Sequence, residues 1–228
     1  MNRIIAKSKM SMYLIVVGAG KIGENLIRLA LERRCNVTLV DKNPAKCEEI
    51  TKSYDVIAIQ GDATQEKILE EANANEADGL ITTLHEDAAN LLIASLAKNL
   101  GIKKIASVIS QSESKPMFIE KKVKPVDDPT ILTAKLLYDA VCRPLIQEFM
   151  PLGEKAEIFR VKIDKNSRLV GRKLKEFTIF QKKALVVAVE RDDRLIIPSG
   201  DSEIHAGDAL TLITMRGQTD KIVGVLST

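Results

Sequence analysis

From Tyr13 to about Val126, short runs of β-branched and aliphatic residues alternate with longer segments of helical spacing. YLIVV (13–17), NVTLVD (36–41), DVIAIQ (55–60), DGLITT (78–83), KKIASVI (103–109) and a short KPV ending at 126 are predicted strands. They are apolar almost throughout, as strands covered on both faces are. Between them, residues 22–34, 44–53, 66–72 and 87–100 place apolar side chains at helical intervals, with Pro44 in a first turn and Gly101 just past an end. Repeated strand–helix–strand units predict an α/β fold, a Rossmann-type doubly wound parallel sheet.

Residues 129–150 read as one further helix with apolar positions on more than one face, kinked or broken at Pro144. Pro151-Leu152-Gly153 reads as a hinge or linker. The pattern then changes to short strand-like runs, EIFRVKI, ALVVAVE, RLIIP and ALTLITM, separated by turn residues, with a short helix expected over 218–226. Two domains are therefore expected: 12–150, the parallel-sheet domain with its terminal helix, and 151–228, a small α+β domain whose core would gain from pairing with a second copy.

Composition narrows the functions. With 45% hydrophobic and 29% charged residues in 228, the chain has the make-up of an ordinary globular protein. A net charge of +3 and 4% aromatic residues supply neither the field nor the stacking platforms that nucleic-acid binding needs. No apolar run reaches the roughly 18 residues that span a bilayer. The opening MNRIIAKSKMS is expected to be a basic tail rather than a secretory signal, which makes the expected location cytoplasmic. Cys35, Cys47 and Cys142 lack zinc-ligand spacing and read as reduced structural thiols.

The informative chemistry is Gly18-Ala19-Gly20-Lys21-Ile22-Gly23, a G-x-G-x-x-G run directly after the first strand and at the start of a helix. There the first glycine permits a tight turn, the second lets phosphate approach the backbone, and the third allows close helix–strand contact. Free N–H groups and the helix dipole attract the anion. Asp41 ends the second strand, where a carboxylate accepts hydrogen bonds from ribose hydroxyls and repels a 2′-phosphate. Adenine-nucleotide binding is expected, with Lys42 beside Asp41 in the same turn. Lys21 reads either as a solvated lysine or as a counter-charge to phosphate. Asp62 reads either as a contact to adenine or as part of the cap of the next helix. His85 reads as a surface or supporting residue near the cleft, and His205 as a turn residue.

The stretches VVGAGKIGENL, LVDKNP, GDATQEKILEEA, ADGLITT and EDAANLLIASLAKNLG resemble the N-terminal domain of the regulator of potassium conductance (RCK) family, which includes Trk and Ktr potassium-uptake subunits. LVGRKLKEF and VVAVERDDRLIIPSGDSEIHAGDALTLI resemble its C-terminal domain. The resemblance implies a non-catalytic cytoplasmic subunit, at the inner face of the membrane through its partner, an integral membrane potassium transporter or channel. It also implies homodimers formed through a crossover helix, here 129–150, and rings that often contain eight copies.

NAD(H) or ATP, ADP or AMP would lie on Gly18 to Gly23, with ribose at Asp41 and with Asp62, Ala63 and Thr83 near the adenine. Ser107 stands where many relatives have arginine, Pro125-Val126 where ATP-selective relatives have Pro-Glu, and Lys21 where ATP-sensing relatives often have arginine. The first two departures weigh against a triphosphate, while Lys21 keeps a charge and loses the bidentate fork of arginine. Some C-terminal domains of the family bind a second ligand such as cyclic di-AMP, for which Ile196, Ile197, Pro198 and His205 are the residues to test. The competing reading is a small NAD-dependent oxidoreductase, since the same fingerprint serves hydride transfer. No Tyr-x-x-x-Lys pair or substantial substrate domain accompanies it.

Overall fold

A computed structural model describes residues 11–142, 145–153, 155–178, 180 and 183–226. The expected basic tail, up to residue 10, and the expected kink at Pro144 lie outside the described residues. Two compact units divide the chain, Met1–Asp128 and Pro129–Thr228.

In the first unit, strands β1 (Tyr13–Val17), β2 (Asn36–Asp41), β3 (Ile57–Gln60), β4 (Gly79–Thr82), β5 (Lys104–Ile109) and β6 (Lys124–Asp127) form one parallel sheet in the order β3-β2-β1-β4-β5-β6. Helices α1 (Lys21–Glu32), α2 (Pro44–Ser53), α3 (Glu66–Glu71), α4 (Asp87–Asn99) and α5 (Lys115–Glu120) make the connections. Successive residues of β1 serve opposite faces, as the pleat requires. Ile15 and Val17 join Leu80, Ile93, Ala94 and Phe118 in one core, while Val16 joins Ile27, Leu39 and Ile50 in the other. Each fully buried Val, Leu, Ile or Phe side chain among them contributes about 1.5–3 kcal/mol.

The helix ends follow local chemistry. Asn43 caps α2 by accepting the Ala45 N–H at 3.0 Å, with Pro44 beginning the helix. Gly101, at φ +97°, ends α4 and donates its N–H to Lys98 O at 3.0 Å.

The second unit opens with α6 (Pro129–Cys142), which is shorter than the expected helix. The remainder of that expected helix is strand β7 (Ile146–Leu152), paired antiparallel with β8 (Ala156–Lys162). Pro151 and Leu152 pair with Glu157 and Ala156, and Gly153 turns the hairpin at φ +64°. The segment read as a hinge is therefore a hairpin, and position 150 lies inside it. Register with β8, a contact between strands, overrides the helical spacing read along the segment itself. Strands β9 (Ala184–Arg191), β10 (Arg194–Ile196) and β11 (Ala209–Met215) complete an antiparallel sheet in the order β10-β9-β11-β8-β7. Asp192 and Asp193, at φ +50° and +58°, form the two-residue β9–β10 turn. Helix α7 (Thr219–Leu226) packs Ile222 and Leu226 into a core with Phe159, Val161, Leu210 and Leu212. Buried Glu157 holds the start of α7, accepting the Gly217 N–H at 3.0 Å and the Thr219 hydroxyl at 2.5 Å.

A bidentate ion pair fastens the loop before β11. Arg191 donates from Nε to Asp208 Oδ1 at 2.7 Å and from its second amino nitrogen to Oδ2 at 2.8 Å and to Glu203 O at 2.9 Å. The His205 N–H reaches Asp208 Oδ2 at 2.8 Å. Burial opposes ionisation of Asp208, but the Arg191 guanidinium and the His205 N–H outweigh it and hold the carboxyl below its ordinary pKa. A carboxyl whose folded pKa is depressed adds stability that is present above its unfolded pKa and lost as pH falls through the folded value. Asp208→Ala is expected to lower the stability of the second unit by about 3 kcal/mol at pH 7, with the deficit shrinking at acid pH. Urea unfolding followed by circular dichroism at neutral and acid pH checks both effects.

Candidate functional site

The strand order reverses between β1 and β4, and the crevice outside their carboxyl ends is where open α/β sheets receive ligands. The glycine turn occupies it. Gly18 has φ +102°, donates its N–H to Val40 O at 2.9 Å, and lies where a Cβ would come within 2.6 Å of Thr83 Oγ1. A Cβ on Gly23 would fall 1.8 Å from Gly18 O, so α1 approaches β1 as closely as it does only because neither position carries a side chain. Gly20 has open space beside it and caps α1 without any side-chain hydrogen bond. The first-turn N–H groups of α1 thus lack a side-chain cap and face the crevice with the positive end of the helix dipole. Ile22 is half-buried. Lys21 is exposed and pairs with Glu24 at 3.2 Å, so its ammonium is solvated beside the turn.

Asp41 ties the turn to its neighbours. Its Oδ2 accepts the Ala19 N–H at 2.6 Å and its Oδ1 accepts the Asn43 N–H at 2.8 Å. Each carboxylate oxygen accepts more than one hydrogen bond, so acceptor capacity remains for ribose hydroxyls. Lys42 turns towards Asp62, with its Nζ 3.1 Å from Oδ2. The other oxygen of Asp62 accepts from the Thr64 hydroxyl at 2.6 Å and the Thr64 N–H at 3.0 Å. The Thr64 hydroxyl above all, then its N–H and the Lys42 ammonium, hold the Asp62 carboxyl below its ordinary pKa. Asp62 shapes the turn before α3, whose cap is Gln65. Ala63 packs its methyl into the core beneath. Thr83 donates its hydroxyl to Val17 O at 3.0 Å and Gly18 O at 3.2 Å, joining the end of β4 to the glycine turn.

Farther along the same edge lies an open cavity of about 550 Å³, with His85, Glu86 and Asp87 on one side and Ser110, Gln111 and Met117 on the other. Asp87 joins the two sides by accepting the N–H groups of Ser110 at 2.7 Å and Gln111 at 3.1 Å. Burial works against its charge, yet the Ser110 N–H, the Ser114 hydroxyl and the Gln111 N–H prevail and keep its pKa low. Asn90, wholly buried, donates to Leu84 O at 2.8 Å and Val108 O at 3.1 Å and so locks the β4–α4 loop to β5. Sequence reasoning passed over Asp87, Asn90 and Ser110. An acid in a first helical turn and an amide amid an apolar helix were the available signals.

The structure thus brings Gly18, Gly20, Gly23, Asp41 and Thr83 to one edge and pairs Lys42 with Asp62. Ser107 is buried and accepts the Thr82 hydroxyl at 2.8 Å. In the second unit His205 is half-exposed in a turn, with Nε2 3.7 Å from Glu203 Oε1. Ile197 is 87% exposed, and Pro198 lines a 210 Å³ cavity with Leu174, Phe180 and Leu185.

Residues 14–126 match the family described as the TrkA-N domain, and residues 158–225 match that described as the TrkA-C domain. A Trk system potassium uptake protein TrkA homolog from Pyrococcus abyssi is 29% identical over 199 residues, which cover 85% of this chain and 88% of the relative. A protein of the same description from Methanothermobacter thermautotrophicus is 29% identical over 203 residues, 89% of this chain and 93% of the relative. The GsuK channel bound to NAD superposes with a TM-score of 0.63 at 15% identity, a likeness of fold that covers 98% of this chain and 41% of the channel chain.

The glycine contacts generate a paired prediction. Gly23→Ala forces a methyl against Gly18 O and is expected to cost about 1–3 kcal/mol, whereas Gly20→Ala meets open space and leaves the melting temperature nearly unchanged. Scanning calorimetry of the two variants side by side checks it.

Proposed function

Since the chain belongs to the regulator of potassium conductance family, with a TrkA-N domain followed by a TrkA-C domain, we propose that it is the adenine-nucleotide-binding regulatory subunit of a membrane potassium transport system. The observation that carries the nucleotide reading is the α1 N-terminus, lacking a side-chain cap and opening on the crevice beside Gly20, with the Asp41 carboxylate bonded to the same turn. A pyrophosphate suits the first, through N–H groups and helix dipole, and a ribose suits the second. A 2′-phosphate would meet Asp41, while Lys42 is already engaged by Asp62. NADP is therefore disfavoured.

The potassium-transport reading is supported by the names of the relatives, Trk system potassium uptake proteins. No helix among the described residues is long and apolar enough to cross a membrane; the proposed partner is an integral membrane potassium transporter or channel. On α6, Ile131, Leu136, Leu137, Tyr138 and Val141 expose their apolar side chains, and a second copy of the chain is the proposed cover.

Regulation requires that nucleotides differ in affinity for two states of the subunit. Reversing a gate from 1:99 to 99:1 takes about 5.5 kcal/mol in all. Shared among eight sites in a ring, this is about 0.7 kcal/mol each, comparable with one net hydrogen bond. Modest rearrangement at the turn is enough.

Calorimetric titration with NAD, NADH, ATP, ADP and AMP, with light scattering for mass, tests the reading. A dimer or larger assembly that binds at least one of them is expected. Asp41→Asn keeps the side-chain shape and loses the charge, and is expected to weaken binding ten-fold or more, the worth of charged hydrogen bonds to ribose at about 1.5–3 kcal/mol. Absence of binding by the unaltered protein, or equal affinity in the variant, would overturn the site.

A further inference from the structure

We infer that the amino-terminal edge of the parallel sheet, at β5 and β6, is a docking surface for anionic lipid headgroups, carried by Lys98, Lys103, Lys104, Lys121, Lys122 and Lys124. The inference rests on this patch alone. It adds to the proposed function a direct contact with the bilayer surface, on the edge opposite the glycine turn.

Two short turns present the charge. In the first, Ile102 donates its N–H to Ala97 O at 3.1 Å and buries its side chain in the core, so that Lys98 stands at the end of α4 and Lys103 and Lys104 at the start of β5. In the second, Lys122, at φ +55°, donates its N–H to Ile119 O at 2.8 Å. Val123 donates its own to Phe118 O at 2.9 Å and is buried, which leaves Lys121, Lys122 and Lys124 outside. Pairing of β5 with β6, Ala106 opposite Lys124, sets the turns side by side. Lys98 Nζ donates to Lys121 O at 2.8 Å and ties them together. The lysines therefore stand on backbone that the core holds in place.

All six are exposed, and none forms an ion pair among the described residues. Six charges exceed the +3 of the whole chain, so positive charge is gathered at this edge and the remainder of the chain is acidic. Glu120 is the one acid within 98–104 and 120–124. Asp78, just ahead of neighbouring β4, bounds the patch and accepts the Tyr13 N–H at 2.8 Å. The carboxyl ends of α4 and α5 bring about half a negative charge each, which six ammonium groups outweigh. Clusters of this size are drawn to an anionic leaflet, each lysine near the surface being worth about five-fold in partition. Lysine is a point charge on a flexible stem and suits headgroups that move. The two turns hold no arginine fork for a fixed phosphate and no aromatic ring on which a base could stack.

The test is co-sedimentation of the full chain, without nucleotide, with vesicles of phosphatidylcholine alone or mixed with phosphatidylserine, at low and moderate salt. Binding to the anionic vesicles alone, weaker at the higher salt, is expected. Lys121→Gln with Lys124→Gln is expected to weaken it about ten-fold or more. Lys155→Gln with Lys165→Gln, exposed lysines of the second unit, removes the same charge and is expected to change it by less than about two-fold. Lys103→Gln with Lys104→Gln repeats the measurement on the other turn, and melting temperatures show that each variant is folded. No binding to anionic vesicles at low salt, or an equal loss in the second-unit pair, would overturn the inference. Duplex DNA held through the same lysines more tightly than the vesicles would assign the patch to nucleic acid and overturn the lipid assignment. Nucleotide titration is a separate readout: vesicle binding by a chain that takes no nucleotide would leave this inference standing and the glycine-turn reading overturned.

Discussion

The approach of α1 to the end of β1, where Gly18 O occupies the space a side chain at position 23 would fill, sets the geometry of the whole carboxyl edge. It aims the helix N-terminus at the crevice. It also brings Gly18 against Thr83 of the β4 connection and Ala19 within hydrogen-bond reach of Asp41 at the end of β2. Three strand ends therefore meet at one backbone turn. Bulk at either glycine would separate them, because the surrounding cores leave no slack: Ile15, Ile27, Leu39 and Leu80 are fully buried on the two faces of the sheet.

Charge along this edge is ordered. Positive potential comes from backbone, at the N-terminus of α1, while Lys42 is spent on Asp62 and Lys21 is paired with Glu24. Carboxylates stand on both sides: Asp41 towards β3, Glu86 and Asp87 towards β5. An anionic ligand is thus accommodated in the middle and discouraged at the flanks. That distribution suits a molecule with its phosphates central and its hydroxyls outside, and the proposed function draws on it.

The second unit is built on a different constraint. Its antiparallel strands bury one face against α7, leaving Leu185 and Met215 exposed on the sheet, while α6 exposes a run of apolar side chains. Polar clasps supply definition where burial is one-sided: Glu157 fixes the start of α7, and Asp208 with Arg191 fixes the loop before β11. A unit of this kind gains from a second copy, consistent with the assembly proposed for the chain.

The sequence by itself determined what is local. Strand and helix alternation, the glycine spacing after β1, Asp41 at the end of β2, Asn43-Pro44 at the start of α2 and Gly101 after α4 are all written within a few residues of where they act, because sterics, capping and dipoles operate over one turn of chain. Tertiary structure decided what depends on remote partners. Residues 146–152 carry enough apolar spacing to pass for helix, yet pairing with 156–162 makes them strand and turns the supposed hinge into a hairpin. Asp62 lost its apparent freedom to Thr64 and Lys42. The cavity at His85 to Asp87 exists only because Asp87 and Asn90 draw β5 and the loop beyond it, some twenty residues away in sequence, against the start of α4. Such hydrogen bonds join residues whose neighbours along the chain say nothing of each other, and only the packed sheet brings them within reach.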